Sequence, residues 1–217
     1  MSDDSHQEKL VPLRADVRFL GDLLGRVLVH QEGDAFLAAE ERIRTLAIAV
    51  RRHQNAGADA KLHRLLKRLP LPDAQKIIRA FSVYFQLVNL AEEAHRVRRK
   101  RHYETLPGFH PQRGSLEDVV HRLYAAGVPY ETVAKRVADL AVTLVLTAHP
   151  TQALPPTVLT KHRAIWDLLM KRQLLNPAPK EAEALTEELL EHIMSLWQTE
   201  ELRPDRPSIQ DEVAQGL

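Results

Sequence analysis

The chain has 217 residues, of which 44% are hydrophobic and 27% charged, a composition typical of a globular protein with one domain or two small ones. Lys and Arg number 30 and Asp and Glu number 29, so a net charge of +1 provides no field that would attract nucleic acid or an acidic membrane surface. The sequence contains no cysteine, which excludes disulfides, thiolate nucleophiles and cysteine-based zinc sites. This composition fits a reducing compartment, and we expect a cytoplasmic protein.

The first residues, MSDDSHQEKL, are acidic and lack an apolar core, so they match neither a secretory signal nor a transit peptide. No run of about 18 apolar residues follows, which predicts a protein that does not enter a membrane. We therefore expect neither a membrane nor a nucleic acid among its partners.

Most of the chain is predicted to be helical. Apolar residues recur three and four positions apart over 13–27 and again from about 35 to 52, which predicts two amphipathic helices joined at Gly33. Residues 54–75 alternate short helical pieces with breakers, and Asp73 is predicted to cap the next helix. That helix, over 77–97, is apolar on more than one face and is therefore predicted to be among the most buried elements.

A basic run, RVRRKRH at 96–102, follows this helix. It could hold a phosphate group, but without a basic face elsewhere the pattern favours a solvated helix end, and we assign it no site. Ser115 and Asp118 have the spacing of a capping box, and a further helix is predicted from Tyr130 to about Leu140. Two more helices are predicted from about Thr157 and Glu181.

The segment AVTLVLTA, residues 141–148, differs from the rest because it is short, β-branched and apolar on both alternations. This pattern is typical of a strand covered on both faces in a parallel sheet. A single strand cannot satisfy its own backbone groups, so its partners would lie beyond Leu217 or in another chain. The alternative is that the segment is the end of a buried helix.

His149 follows this segment directly, and Pro150 follows His149. If 141–148 is a buried strand, His149 lies at its carboxyl end, where parallel α/β architectures place catalytic side chains. Pro150 favours extended backbone at His149 and argues against the exposed mid-helix position of a phosphorelay histidine. A loop histidine bonded to a backbone carbonyl is the structural alternative.

The motif TAHPTQ at 147–152, preceded by LVL, resembles the N-terminal active-site signature of phosphoenolpyruvate carboxylases. Residues 13–28, 79–99 and 195–217 resemble further blocks of that family in the same order. The resemblance implies a mainly α chain, the helical N-terminal part of an α/β-barrel protein that is truncated relative to the family. It places a helical region at 1–140, and at 141–217 the first barrel strand, the active-site loop and the following helices of an incomplete catalytic domain.

The family joins bicarbonate to phosphoenolpyruvate and releases oxaloacetate and phosphate, which feeds the tricarboxylic acid cycle. By resemblance, His149 is the catalytic residue that takes the proton of a carboxyphosphate intermediate, because an imidazole accepts a proton near neutral pH. The resemblance also implies Mg²⁺ or Mn²⁺ held by ligands outside this chain. The implied partners are phosphoenolpyruvate, bicarbonate, the remainder of the subunit and other copies in a homotetramer.

Pro155 and Pro156 stand where the family has a pair of basic residues. Prolines suit the first turn of a helix but cannot hold phosphoryl oxygens as guanidinium groups do. Two interpretations therefore stay open. The chain is either part of a phosphoenolpyruvate carboxylase, active only within the longer enzyme, or a catalytically inactive truncated paralogue that acts as a helical interaction module. The other histidines, His95, His102, His110 and His162, show no metal-ligand spacing and are predicted to have packing or surface roles.

Overall fold

The structure, a computed structural model, describes residues 10–53, 56–108, 111–144, 154–175 and 177–199, together with Ser208 and Gln210. Within these ranges the secondary structure is α-helical and no β-strand is present. The helices are α1 (Val11–Glu32), α2 (Asp34–His53), α3 (Ala56–Lys67), α4 (Leu71–Thr105), α5 (Leu116–Ala125), α6 (Tyr130–Ala138), α7 (Pro156–Leu174) and α8 (Pro179–Gln198). The prediction of a mainly α chain is therefore confirmed.

The described residues fall into two compact units. The first contains the described residues within 10–94 and 154–199, and the second contains those within 95–144 together with Ser208 and Gln210. In the first unit, α1 packs on α2 and α8, α2 packs on α3, and α7 packs on α8. In the second unit, the contacts are between α5 and α6. The predicted division into a helical region at 1–140 and an incomplete catalytic domain at 141–217 refers to the complete family fold, and it stays a prediction.

The turn between α1 and α2 is made by Gly33. Its φ of 88° is a conformation that side chains with a Cβ rarely adopt, and its amide donates a hydrogen bond to the Val29 carbonyl at 2.9 Å. The chain therefore reverses after a single residue, and α1 and α2 form a helical hairpin. The two amphipathic helices predicted for this region are confirmed.

The long helix α4 buries one face. Its small and branched residues on that face are almost inaccessible to solvent: Ile77, Ala80, Val83, Leu87, Leu90, Ala91 and Ala94. The helix thus contributes many of the buried residues, as predicted, but Phe85 is 60% exposed and Ile78 also faces solvent, so its second apolar face lies on the surface. The helix begins at Leu71, which places Asp73 in its first turn instead of at the N-cap.

Helix α5 has specific hydrogen bonds at both of its ends. The Ser115 hydroxyl accepts a hydrogen bond from the Asp118 amide at 3.1 Å, which confirms the predicted N-cap. After α5, Gly127 has φ of 76°, and the Val128 amide donates to the Leu123 carbonyl at 3.0 Å in a Schellman arrangement. Local hydrogen bonds thus fix where α5 starts and stops.

The described half of the predicted strand is not a strand. Residues 141–144 have no regular secondary structure, and the side chains of Val142 and Leu144 are 84% and 83% exposed. The physical reason is that a strand requires a neighbouring strand, and the described residues contain none. Residues 145–148 lie outside the described residues, so the prediction of a buried strand is wrong for 141–144 and stays a prediction for the rest.

Candidate functional site

The carboxyl side of the signature segment ends in the first turn of α7. Pro155 is the N-cap, with φ −55° and ψ 142°, and Pro156 is the first helical residue. The amides of Val158 and Leu159 donate to the Pro155 carbonyl at 2.9 and 3.2 Å. A proline at N1 loses no hydrogen bond, because the amide there has no partner within a helix. The prediction that these prolines start a helix is confirmed.

Side chains that are entirely buried hold α7 in place. Val158, Ile165 and Leu169 have no accessible surface. They pack in a core shared with α8, whose residues Leu189 and Ile193 are equally buried. The chain is therefore fixed in position within three residues of the prolines, so the segment that precedes them is attached to a rigid element.

Polar contacts join α7 and α8 to the rest of the first unit. His162 Nε2 lies 2.7 Å from Gln86 Oε1 on α4, and Gln173 on α7 donates to the buried Asp16 carboxylate at 2.9 Å. Arg79 on α4 donates to the Thr199 carbonyl at 2.5 Å, and its guanidinium lies over the Trp197 ring at 5.3 Å. These contacts connect α7 and α8 with both α1 and α4.

The catalytic residue predicted from the sequence, His149, lies outside the described residues, as do its neighbours in TAHPTQ. The structure describes the chain up to residue 144 on one side and from residue 154 on the other. The role of His149 as a proton acceptor therefore stays a prediction.

Two of the other histidines have packing roles, His162 in the first unit and His95 in the second. His95 is buried, and its Nδ1 lies 2.9 Å from a guanidinium nitrogen of Arg98. His162 contacts Gln86 as described above, whereas the His102 ring lies against Tyr103 near the surface. His110 lies outside the described residues. The predicted packing and surface roles are confirmed for these three.

The basic run at the end of α4 forms contacts within its own helix. Arg99 donates to the Tyr103 hydroxyl at 2.9 Å, and Lys100 lies 3.9 Å from the Glu104 carboxylate. Both pairs are four residues apart, as expected for neighbours on one helix face. The run continues α4 to Thr105, and Arg96, Lys100, Arg101 and His102 are exposed, so the predicted solvated helix end is confirmed.

The described residues do not form a metal site. Among them, no three His, Asp or Glu side chains converge in a way that could hold a metal ion. The Mg²⁺ or Mn²⁺ implied by the resemblance therefore does not fit the part of the chain that the structure describes. None of the described helices has the length and apolar character needed to cross a membrane.

A buried carboxyl that the sequence reading missed lies on α2. Glu40 is only 7% exposed and lines an open groove between α1 and α2. Its pKa is raised to about 7, first by burial and then by the negative charge of the neighbouring Glu41, while the positive charge of Arg44 partly offsets both effects. The sequence contains a sign of this burial, because Glu40 lies three residues from both Leu37 and Ile43 and is therefore on the apolar face of α2.

Comparison with known proteins identifies relatives over almost the whole chain. A family model described as phosphoenolpyruvate carboxylase matches residues 13–217. The phosphoenolpyruvate carboxylase of Roseiflexus castenholzii is 38% identical over 206 residues, which are 94% of this chain and 22% of the relative. Those of Aromatoleum aromaticum and Nitrosomonas eutropha are 36% and 35% identical over 97% and 99% of this chain, and 23% of each relative is covered. The chain thus spans less than a quarter of the length of these relatives.

Proposed function

Because the chain belongs to the phosphoenolpyruvate carboxylase family, we propose that it forms the N-terminal portion of an enzyme that carboxylates phosphoenolpyruvate with bicarbonate. The products are oxaloacetate and phosphate, and oxaloacetate feeds the tricarboxylic acid cycle in the cytoplasm. The observation that carries this proposal is the family match over residues 13–217, which includes His149 within TAHPTQ. The remaining parts of the subunit and its assembly into a homotetramer belong to the same proposal.

The proposed role of His149 is proton acceptance after phosphoryl transfer. A bicarbonate oxygen attacks the phosphorus of phosphoenolpyruvate, which gives carboxyphosphate and the enolate of pyruvate. The imidazole of His149 takes the carboxyl proton of carboxyphosphate, and cleavage of the bond between carbon and the phosphate oxygen releases CO₂ and phosphate. The enolate carbon then adds to CO₂ and forms oxaloacetate. Imidazole suits this step because its ordinary pKa lies near working pH.

The residues close to His149 in the sequence favour a fixed orientation of its imidazole. Pro150 restricts the backbone of His149 to extended conformations. Six residues further on, α7 starts at Pro156 and is held by the buried Val158 and Ile165. A short tether to a packed helix limits the volume that the imidazole can sample, which favours a positioned catalytic group.

The divalent metal of the family would neutralise charge on the phosphate and enolate oxygens when bound. As the resemblance implies, we propose that its ligands lie in the remainder of the enzyme, and no step assigned to His149 depends on it. This placement predicts that the 217-residue chain alone produces no oxaloacetate.

A fusion protein tests the proposed function. The 217 residues would replace the matching part of the Roseiflexus castenholzii relative, and oxaloacetate would be measured by a coupled assay with phosphoenolpyruvate, bicarbonate and Mg²⁺. We expect turnover that requires bicarbonate from the fusion and none from the isolated chain. His63→Asn, a substitution at an exposed residue of α3, serves as a control that should leave turnover unchanged. Sustained turnover by the isolated chain would refute the assignment of the metal ligands to the rest of the enzyme.

The second candidate function is an inactive paralogue that acts as a helical interaction module. It is favoured by one observation, that Pro155 and Pro156 replace the basic pair of the family and open α7 without a charge that could hold phosphate. The double substitution Pro155→Arg and Pro156→Arg in the fusion distinguishes the two. A fusion that is inactive with the prolines and active with the arginines identifies the paralogue, whereas activity with the prolines supports the carboxylase.

A further inference from the structure

One polar contact connects the first turns of α7 with α4. His162 Nε2 lies 2.7 Å from Gln86 Oε1, and both residues are half-buried. An amide oxygen only accepts hydrogen bonds, so the imidazole carries its hydrogen on Nε2 and donates it to Gln86. The Gln86 amide nitrogen in turn donates to the Ser82 hydroxyl, one turn earlier on α4, at 3.4 Å. Ser82, Gln86 and His162 thus form a short chain of hydrogen bonds between the two helices.

This contact lies close to the start of α7. His162 follows Pro156 by six residues, which is about 9 Å along the helix. The contact between Gln173 and Asp16 lies near the other end of α7, about 26 Å from Pro156. Of these two contacts, the one made by His162 therefore has the more direct effect on the position of the first turn.

Apolar packing and this hydrogen bond act on α7 in different ways. Val158, Ile165 and Leu169 are fully buried, but the gain from burying apolar surface is non-directional. A hydrogen bond, in contrast, weakens steeply when its angle departs from the preferred range. Packing therefore holds α7 in the first unit, and the bond from His162 to Gln86 selects one arrangement of its start against α4.

We propose that His162 is a positioning residue for the carboxylation, because its bond to Gln86 holds the start of α7 in the arrangement that catalysis requires. This inference rests on the proposed function, and its effect on the reaction passes through α7, since only six residues separate His149 from Pro156. A misplacement of about 1 Å, caused far from the reacting atoms, costs about 10²-fold in rate. One hydrogen bond at the start of α7 is therefore sufficient to affect turnover.

The fusion enzyme with the Roseiflexus castenholzii relative separates a positioning role from a merely structural one. His162→Phe keeps an aromatic ring but removes the donor. We expect kcat to fall by about 10- to 10²-fold while KM for phosphoenolpyruvate stays within about twofold. The ratio of oxaloacetate to phosphate should also fall, because a misplaced His149 leaves carboxyphosphate to break down unproductively. His162→Gln keeps an N–H donor at a similar reach and should recover most of both losses.

A second variant removes the same bond from the other side. Gln86→Leu leaves α7 unchanged in sequence and should reproduce the lower kcat and the lower product ratio of His162→Phe. The double variant should be within about twofold of either single variant, because both remove one shared interaction. A parental product ratio in either single variant, or a loss that His162→Gln fails to recover, would overturn the positioning role.

A matched control removes another hydrogen bond between helices of the first unit. Gln198 at the end of α8 donates to Gln31 on α1 at 3.1 Å, and Gln198→Leu should change kcat and the product ratio by less than about twofold. An equal loss in this control would show that any contact between helices has the same effect. A parental fusion that forms no oxaloacetate would refute the proposed function, whereas an active fusion that is insensitive to His162→Phe would refute the positioning role alone.

Nitrogen-15 NMR of the 217-residue chain tests the bond itself, independently of activity. At pH 8 we expect the His162 hydrogen on Nε2, with an exchange rate at least about tenfold lower than that of the ring hydrogen of the exposed His63. Gln86→Leu should remove this difference. A His162 ring that carries its hydrogen on Nδ1, or one that exchanges as fast as His63, would overturn the proposal.

Discussion

Helices α7 and α8 of the first unit differ from α5 and α6 of the second in what covers their apolar faces. In α8, Leu189, Ile193 and Leu196 have no accessible surface. In α5 no residue is buried, and Leu123 is 36% exposed although it belongs to the apolar stripe. α5, α6 and α8 are amphipathic in sequence, whereas α7 is only weakly so. The difference shows that periodicity specifies a helix and its apolar face, whereas burial depends on which other elements are present.

The two pairs also differ in the kind of interaction that stabilises them. α5 has a side-chain N-cap and a Schellman C-terminus, both made by residues within or next to the helix. α7 has prolines at its start and no side-chain cap, but its side chains pack deeply against α8. Local hydrogen bonds therefore define α5, and tertiary packing defines α7. This contrast predicts that substitutions of the same type will have different costs in the two regions.

The largest effect is expected from truncation of a buried leucine. Leu189→Ala should lower the free energy of unfolding by about 2–5 kcal/mol, because it removes buried methyl groups and leaves a cavity. Leu123→Ala, the matched substitution on α5, should cost less than about 1 kcal/mol because its side chain is partly solvated. Urea unfolding followed by circular dichroism measures both. Equal costs would show that the face of α5 is covered as completely as that of α8.

A smaller, pH-dependent effect is expected at Glu40. Its pKa is raised from 4.5 to about 7 by folding, so the folded chain binds more protons than the unfolded chain between these values. Stability contributed by this group is present at low pH and is lost as pH rises toward 7. Glu40→Gln should therefore stabilise the chain by about 1–3 kcal/mol at pH 8 and by much less at pH 4.5.

The control for this prediction is Glu92→Gln, since Glu92 is exposed on α4 in the same unit. It should change stability by less than about 0.5 kcal/mol at both pH values. Urea unfolding at pH 4.5 and pH 8 gives the comparison. A stabilisation by Glu40→Gln that is the same at both pH values would mean that the carboxyl is not desolvated in the folded chain.

The smallest effect is expected at the N-cap of α5. Ser115→Ala removes the acceptor for the Asp118 amide and should destabilise α5 by about 1 kcal/mol, whereas Ser115→Asp keeps an acceptor and should be nearly neutral. Hydrogen exchange of the α5 amides resolves this change within the second unit. Protection that is unchanged in Ser115→Ala would show that α5 depends on packing in the same way as α7.

The sequence predicted those features that depend on residues close to one another along the chain. The apolar spacing gave α1 and α2, the S-x-x-D pattern gave the α5 cap, and the prolines gave the start of α7. It did not predict the exposure of Phe85, because an apolar residue on a helix does not reveal whether another element covers it. Nor did it predict the Glu40 groove, which needs the relative placement of α1, α2 and α4.

The strand prediction failed for 141–144 for a similar reason. A β-branched apolar segment becomes a strand only when a partner strand supplies hydrogen bonds, and the described residues offer none. The exposed Val142 and Leu144 are compatible with the proposal that the remainder of a larger enzyme covers this segment. The sequence indicated an apolar segment correctly but could not specify what lies beside it.

The most direct test of the central claim, that His149 accepts a proton after phosphoryl transfer, is the product ratio of His149→Asn in the fusion enzyme. Phosphate and oxaloacetate would be measured together, with phosphoenolpyruvate and bicarbonate present. The proposal predicts that oxaloacetate formation falls by about 10²- to 10⁴-fold while bicarbonate-dependent phosphate release persists, because carboxyphosphate still forms and then breaks down unproductively. An equal loss of both products would place His149 before phosphoryl transfer, and oxaloacetate formation at the parental rate would contradict a catalytic role.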